Sequence, residues 1–212
     1  MPDGHSHNHG QCCGNEATDV DHAFEMGIEY SLYKKIDMDN LECLNEECEG
    51  SGKKVFKAYE NRQNHTEFVT SDADEEMLFN IPFTGNIKLK GIIIVGADDN
   101  THPSKVRLFK NRQKMTFDDA RGKPDQEFDL SRDPRGDIEY SPKVVTFSSV
   151  HHLSLHFPSN YGDDVARIYY IGLRGEFNEA HYHGVTICTY EARPNVSDHK
   201  TETYDAVNRT IQ

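Results

Sequence analysis

The longest apolar segment of the chain lies within residues 71–100, SDADEEMLFNIPFTGNIKLKGIIIVGADDN. From Asn86 onward apolar and lysine side chains alternate, a pattern that is typical of a half-buried strand. The run Ile92–Val95 is wholly apolar and β-branched, which favours a strand buried on both faces over a helix. Residues 82–86, Pro-Phe-Thr-Gly-Asn, predict a turn between two strands. The sequence therefore predicts that this segment forms the centre of the core.

Shorter strands are predicted along most of the remaining chain. They cover residues 105–110, 126–130, 143–147, 150–157, 168–173 and 185–190, with turns containing Gly, Pro, Asp and Asn between them. In the strand at 150–157, Leu153 and Leu155 share one face, whereas His152 and His156 lie on the other, which is expected to meet solvent. Many short strands with little helix between them predict an all-β fold, an antiparallel sandwich or barrel.

One short helix is predicted ahead of these strands. Asp37 or Asp39 can cap a helix over residues 37–47, with Leu41 and Leu44 on its inner side. Residues 1–20 and 193–212 are polar and are expected to form tails without a packed core of their own. The segment between them, residues 21–192, is expected to fold as one domain.

The net charge of −13 restricts the kinds of partner that the chain can bind. A surface of that sign repels phosphate backbones, so a basic patch on a protein partner is favoured over nucleic acid. No segment approaches the roughly 18 apolar residues needed to cross a bilayer, and the sequence shows no signal peptide or myristoylation site. Five cysteines without a disulfide spacing predict reduced thiols. We therefore expect a monomer in the cytoplasm, with the nucleus as a second compartment and no membrane contact.

The strongest metal-binding candidates lie in the first twenty residues and are His5, His7, His9, Cys12 and Cys13. Imidazole and thiolate bind zinc and copper readily, so a metal-handling regulatory role through this tail is one hypothesis. Their spacing is not that of a closed zinc site, and no second ligand pair follows at the usual interval. A solvated tail is therefore the favoured interpretation, and no cofactor is predicted.

Motifs for catalysis are missing from the sequence. It contains no G-x-S-x-G, no phosphate-binding loop and no Cys-x-x-Cys pair. The acids between Asp72 and Glu76 could supply oxygen ligands to Ca²⁺, yet the Gly and Glu that an EF-hand loop needs at fixed later positions do not follow. The sequence therefore predicts a protein without enzymatic activity.

Five blocks of sequence together indicate a family. They are SDADEE at 71–76, LFNIPFTG at 78–85, KLKGIII at 88–94, HP at 102–103 and IGLRGE at 171–176. In this order the chain from about 22 to 192 resembles the PITH domain, the C-terminal domain of thioredoxin-like proteins that associate with the proteasome. The resemblance implies a jelly-roll β-sandwich, similar to galactose-binding-like domains, and binding to the 26S proteasome regulatory particle. It does not imply redox activity, because the thioredoxin module with its Cys-x-x-Cys is absent here.

The leading hypothesis is an adaptor or regulator that binds the regulatory particle through an acidic sandwich surface. Its candidate residues are Asp72, Asp74, Glu75, Glu76, Asp98, Asp99 and Arg174. The acids bracket the central strand, where the loops of a sandwich cluster and binding residues tend to lie. The alternative, by analogy with the fold, is a small-ligand or carbohydrate-binding module, although the chain has no Trp to serve as an aromatic platform.

Overall fold

The computed structural model describes residues 31–178, which contain eight strands and a few short helical turns. The strands are β1 (Glu42–Leu44), β2 (Val69–Thr70), β3 (Met77–Gly96), β4 (Lys105–Lys110), β5 (Gln126–Asp129), β6 (Glu139–Tyr140), β7 (Val150–Phe157) and β8 (Arg167–Asn178). The helices are α1 (Ser51–Lys54) and α2 (Phe117–Ala120), and 3-10 turns form at Tyr33–Lys35 and Tyr59–Asn61. Every strand pairing is antiparallel. The predicted all-β, antiparallel fold is confirmed, and β4 and β7 have the predicted bounds.

Strand β3 belongs to both layers of the sandwich because it changes partners halfway along. Residues 77–82 pair with β1 and β7, whereas residues 86–96 pair with β8 and β6. Ile87, at the change of partner, pairs with both β7 and β8. The register with β7 shifts between Pro82 and Ile87. A bulge of this kind lets a strand bend and pass from one sheet to the other. The residues predicted as a turn are therefore the corner of one continuous strand.

Both ends of β3 lie at the same end of the sandwich. Met77 pairs with Phe157 at the end of β7, and Gly96 pairs with Ile168 near the start of β8. Residues 158–166 connect these two strands, and a segment of that length spans at most about 35 Å. A straight strand as long as β3 would extend about 65 Å. The corner therefore folds β3 back, so that its two flanking loops and the loop at 158–166 meet.

The main core lies between the two layers. Phe79 and Phe157 meet edge to face with ring centroids 5.8 Å apart, in a cluster that also contains Ile92 and Ile94. The intervening Ile93 belongs, with Val95 and Tyr170, to a separate buried cluster. The prediction that this run is buried on both faces is confirmed. Burying each such side chain contributes about 1.5–3 kcal/mol to folding.

The face of β7 that was expected to meet solvent is covered instead. The segment at 111–120, which includes α2, packs over it and leaves Ser154 0% and His156 1% exposed. Ser154 Oγ donates a hydrogen bond to Asn80 Oδ1 (2.9 Å), and Asn80 Nδ2 donates to the carbonyl of Met115 (3.0 Å). The predicted alternation is right, but the expected exposure is wrong because a distant segment satisfies these polar groups.

The helix predicted at 37–47 is wrong. The carboxylate of Asp37 accepts hydrogen bonds from the backbone (3.3 Å) and side-chain (2.7 Å) amides of Asn40 and so closes a bend. The chain then enters β1, which pairs with the first half of β3. Asn45 follows with φ of 66°, a value outside the right-handed helical region. Pairing with β3 outweighs the weak helical preference of this segment.

The strand predicted at 143–147 is also wrong. The backbone N–H groups of Thr146 and Phe147 both donate to the carbonyl of Lys143 (2.9 and 3.0 Å), which closes a turn. Phe147 is buried, whereas Val145 is 90% exposed at the tip. The buried Phe147 and the exposed Val145 are two residues apart, so in sequence they resemble the apolar positions of a strand. The strand predicted at 185–190 lies outside the described residues.

No helix within residues 31–178 is long and apolar enough to span a membrane.

Candidate functional site

Two acidic segments that are far apart along the central strand lie close together in the structure. The backbone N–H of Arg167 donates to the carbonyl of Thr101 (2.9 Å), and its Nε donates to Thr70 Oγ1 (3.4 Å). The backbone N–H of Ser71 donates to the carbonyl of Ala166 (2.9 Å). The loops before and after β3 therefore flank the start of β8. We define the acidic end as the surface formed by Asp72, Asp74, Glu75, Glu76, Asp98, Asp99, Asp163 and Asp164.

The loop at 158–166 supplies two acids that the sequence reasoning missed. The backbone N–H of Tyr161 lies within hydrogen-bonding distance of the carbonyls of Asn100 (3.1 Å) and His102 (3.2 Å). These contacts hold the loop beside the segment that carries Asp98 and Asp99. Asp163 and Asp164, both exposed, extend the acidic end. Adjacent acids directly after a Tyr-Gly turn, in a loop between predicted strands, were the available signal.

Asn45 organises the acidic loop that precedes β3. Its Nδ2 donates to Asp74 Oδ1 (2.8 Å) and to the carbonyl of Glu76 (2.7 Å), while its Oδ1 accepts from the backbone N–H of Ala73 (3.0 Å). Asp74 Oδ1 also accepts from the backbone N–H of Glu76 (3.1 Å). The carboxylate of Asp74 is therefore part of the frame of the loop and is less available to a partner.

Glu76 is bound to the covered face of β7. Its Oε1 lies 2.6 Å from Nε2 of His156, whose side chain is 2% exposed. Because an ionised carboxylate only accepts hydrogen bonds, Nε2 carries the proton. Burial lowers the pKa of His156, although the hydrogen bond that Nε2 donates to Glu76 acts in the opposite direction, so the imidazole is neutral at pH 7. Its Nδ1 is buried and has no partner among the described residues.

Asp99 is likewise used within its own loop. Its Oδ1 accepts from the backbone N–H (2.9 Å) and the hydroxyl of Thr101, and these bonds lower the pKa of Asp99. Among the acids of the acidic end, those whose carboxylates have no side-chain hydrogen bond or ion pair inside residues 31–178 are Asp72, Glu75, Asp98 and Asp164. These four are the groups at the acidic end that a partner can meet without competition.

The remaining candidate, Arg174, lies away from the acidic end. It is seven residues beyond Arg167 on β8, a separation of roughly 23 Å along an extended strand. Its Nη1 forms an ion pair with Glu139 on β6, and its register partner on β3 is Gly91. This geometry gives Arg174 a role in holding the sheet together, and a role in partner binding stays a prediction.

His102, from the His-Pro block, supports the loop after β3 as a neutral imidazole. Its Nδ1 lies 2.7 Å from the carbonyl of Pro103, and its Nε2 lies 3.1 Å from the backbone N–H of Asp133. A carbonyl only accepts and an N–H only donates, so Nδ1 carries the proton and Nε2 accepts. Burial lowers the pKa of His102. Gly96 leaves room for this ring, because a Cβ at that position would lie 2.5 Å from its Cδ2.

Metal binding has no support within residues 31–178, where no group of three or more His, Cys, Asp or Glu side chains is placed to hold an ion. The tail candidates, His5, His7, His9, Cys12 and Cys13, lie outside the described residues, so that hypothesis stays a prediction. Of the cysteines that are described, Cys43 and Cys48 are unpaired, and burial raises the pKa of the Cys43 thiol. Cys43 is therefore a poor nucleophile.

The fold is similar to that of a solved carbohydrate-binding structure. The CBM32-1 and CBM32-2 domains of ZmpB from Clostridium perfringens, in complex with GalNAc, match this chain with a TM-score of 0.53. The match covers 75% of this chain and 40% of that chain at 10% sequence identity. At so low an identity the likeness shows the galactose-binding-like jelly-roll fold alone.

Sequence comparison identifies the family. A profile of the PITH domain matches residues 22–194. PITH domain-containing protein CG6153 of Drosophila melanogaster is 73% identical over 212 residues, 100% of both chains. PITH domain-containing protein 1 of Homo sapiens is 53% identical over 201 residues, 94% of each chain. The chain described here belongs to the PITH domain family.

Proposed function

We propose that this chain is a non-enzymatic protein-interaction domain that associates with the 26S proteasome regulatory particle through the acidic end. In this role it acts as an adaptor or regulator, as a monomer, in the cytoplasm and nucleus. The observation that carries the proposal is the meeting of three acidic loops around the start of β8, where the backbone of Arg167 bonds to Thr101 and that of Ser71 to Ala166. Membership of the PITH family supports the same function.

The charge of the acidic end suits a basic partner surface. Its four unpaired carboxylates, Asp72, Glu75, Asp98 and Asp164, belong to three different loops. Two arginines, Arg167 and Arg132, act electrostatically on Asp99. Each also lies over an aromatic ring, 5.3 Å from the centre of Phe68 and 4.7 Å from that of Tyr161. A surface of this kind raises the rate of encounter with a positively charged partner, and the attraction between them weakens as the salt concentration rises.

The buried titratable groups beside the acidic end support binding rather than catalysis. His102 and His156 both use a ring nitrogen to hold a loop, through bonds to the backbone of Asp133 and to Glu76. Each is neutral because burial lowers its pKa. Both therefore act as supports for the surface.

The structure indicates which acids to change in a test. Asp74 and Glu76 hold the loop, so neutralising them would disturb folding together with binding. We would capture the proteasome from lysate with the wild-type chain and with a variant carrying Asp72→Asn, Glu75→Gln, Asp98→Asn and Asp164→Asn, at about 0.05 M and 0.5 M salt. A control variant with the same loss of charge carries Asp39→Asn, Glu49→Gln, Glu60→Gln and Glu127→Gln, all exposed and outside the acidic end.

We expect the wild-type chain and the control to retain the regulatory particle at low salt, and the acidic-end variant to lose most of it. High salt should weaken capture by the wild-type chain in the same way, because screening acts on exposed charges. Undiminished capture by the acidic-end variant would remove this surface from the interface.

A second candidate function, sugar binding, has one specific observation in its favour. Tyr161 is 38% exposed at the acidic end, with the Arg132 guanidinium 4.7 Å from its ring centre. An aromatic ring beside polar groups is a common platform for small ligands. A glycan array with the wild-type chain and a Tyr161→Ala variant tests it, and binding that is absent from both removes this candidate.

A further inference from the structure

A polar cleft of about 300 Å³ lies on the outer face of the sandwich, away from the acidic end. Its lining residues are Asp37, Asn40, Glu42, Asn80, Pro82, Gln113, Lys114 and His152. Pro82 and His152 are direct neighbours across β3 and β7, near the corner of β3. We call this feature the His152 cleft. Its volume is at the lower limit of ligand pockets and suits one long side chain rather than a larger molecule.

Both walls of the His152 cleft are fixed by backbone hydrogen bonds. On one side the N–H of Asp37 donates to the carbonyl of Pro82 (2.9 Å), and β1 pairs with β3. On the other side the N–H of Asn111 donates to the carbonyl of His152 (2.7 Å), and the carbonyl of Met115 accepts from Asn80 Nδ2 (3.0 Å). The main chain on both sides of the cleft is therefore held in place by hydrogen bonds within the domain.

One residue that lines the His152 cleft, His152 itself, carries a polar atom without a hydrogen-bond partner within residues 31–178. Nε2 of His152 is buried and forms no hydrogen bond with the described residues. Burial lowers the pKa of His152, while the nearby Glu42 acts in the opposite direction, so the ring is neutral at pH 7. A neutral imidazole nitrogen can accept a hydrogen bond, and leaving it buried without one is unfavourable. A ligand with a donor would remove that cost.

The rim of the His152 cleft favours a cation. Glu42 is exposed and has no ion-pair partner within residues 31–178. The carboxylate of Asp37 already accepts from Asn40 and adds negative charge to the rim. The side-chain carbonyls of Asn40 and Gln113 supply further acceptors, against a single exposed cation, Lys114. Several acceptors around a narrow space suit a planar group with many donors. A guanidinium presents five donors and binds a carboxylate through two parallel bonds, which an ammonium cannot do.

We propose that the His152 cleft binds the guanidinium group of an arginine side chain from a partner protein. In this arrangement Glu42 pairs with the guanidinium, Nε2 of His152 accepts one of its N–H groups, and Pro82 contacts the aliphatic part of the side chain. The site is separate from the acidic end and does not depend on the function proposed above. It gives the domain a second, more specific contact than charge alone can supply.

Binding can be measured with the full chain by NMR titration, following the amides around the cleft and the imidazole nitrogens of His152. The probe is Nα-acetyl-arginine methylamide, with the citrulline and lysine analogues in parallel, up to roughly 20 mM, since a ligand of this size is expected to bind in the millimolar range. We expect saturable shifts with arginine, at least tenfold weaker binding of citrulline, and a change at His152 Nε2.

Two pairs of variants separate binding from general effects. Glu42→Gln should weaken arginine binding about tenfold, whereas Glu47→Gln, an exposed neighbour outside the cleft, should not. His152→Gln should weaken it severalfold, whereas His151→Gln, exposed on the opposite side of the strand, should not. Absence of saturable shifts, equal binding of citrulline or lysine, or equal effects within either pair would each overturn the proposal.

Discussion

The carboxylate of Glu76 and the imidazole of His156 lie 2.6 Å apart, and this bond connects the acidic loop before β3 to the covered face of β7. Together with the bond between Asn45 and Asp74, it separates the acids that hold this loop from those that are available to a partner. Glu76 and Asp74 hold the structure, whereas Asp72 and Glu75 are available to a partner. The sequence presents these acids as one continuous charged patch, and the structure assigns them different roles.

The bond between Glu76 and His156 predicts that neutralising Glu76 lowers the stability of the fold more than neutralising its neighbour Glu75. Glu76→Gln removes the charge that accepts from the buried imidazole and should lower the free energy of unfolding by about 1–3 kcal/mol. Glu75→Gln, at a residue without a side-chain partner in the described chain, should change it by no more than about 0.5 kcal/mol. Urea denaturation of both variants measures this, and equal effects would show that the bond contributes nothing specific.

Asn45 allows the contribution of its backbone conformation to be separated from that of its side chain. Asn45→Ala loses the bonds to Asp74, Glu76 and Ala73 and places a Cβ residue at φ of 66°. We expect the free energy of unfolding of this variant to fall by about 2–4 kcal/mol, from both effects. Asn45→Gly tolerates the positive φ and should lose less. Urea denaturation compares them, and a glycine variant that is less stable than the alanine variant would contradict this account.

The tautomer of His102 predicts how stability depends on pH. Its folded pKa lies below the ordinary value of 6.5, so the unfolded chain binds more protons near that pH. The contribution of His102 is complete above about pH 7 and is lost as the pH falls below 6.5 toward the folded pKa. Protonation of Nε2 would place two N–H groups against each other at Asp133.

Urea denaturation at about pH 7.5 and about pH 5.5 tests this pH dependence. The wild-type chain should be less stable at the lower pH, with His152 and His156 acting in the same direction because burial lowers the pKa of each. In the His102→Gln variant, the free energy of unfolding should differ less between the two pH values. His151→Gln, an exposed control, should leave it unchanged. An unchanged difference in the His102 variant would mean that the ring is not held neutral.

The strands were predictable where side-chain alternation reflects burial directly. β4 and β7 have the predicted bounds, and the run Ile92–Val95 is buried on both faces as predicted. In β4 the two-residue period matches burial, since Val106 and Leu108 are buried. In β7 the period predicted the strand but not the burial of Ser154 and His156. The candidate acids are exposed or half-buried, since charged side chains are rarely buried alone.

The errors arose where a distant segment decides the local structure. Residues 37–47 contain β1 between a bend and a turn, rather than a helix, because Glu42–Leu44 pair with β3. His156 is buried because residues 111–120 cover it. The turn at 143–147 shows an exposed Val145 that composition alone cannot distinguish from a core residue. The approach of the acidic loops depends on the fold-back of β3 at residues 82–87, which the sequence indicated only as a turn between two separate strands.

The central claim is that the unpaired acids of three loops form one binding surface. The most direct test measures the affinity of the purified 26S regulatory particle for the wild-type chain, for the variant of Asp72, Glu75, Asp98 and Asp164, and for the control variant with the same charge. Each is measured over a series of salt concentrations. We predict that the acidic-end variant binds at least tenfold more weakly and with a shallower salt dependence, while the control behaves as the wild-type chain. Equal affinity and equal salt dependence of all three would contradict the claim.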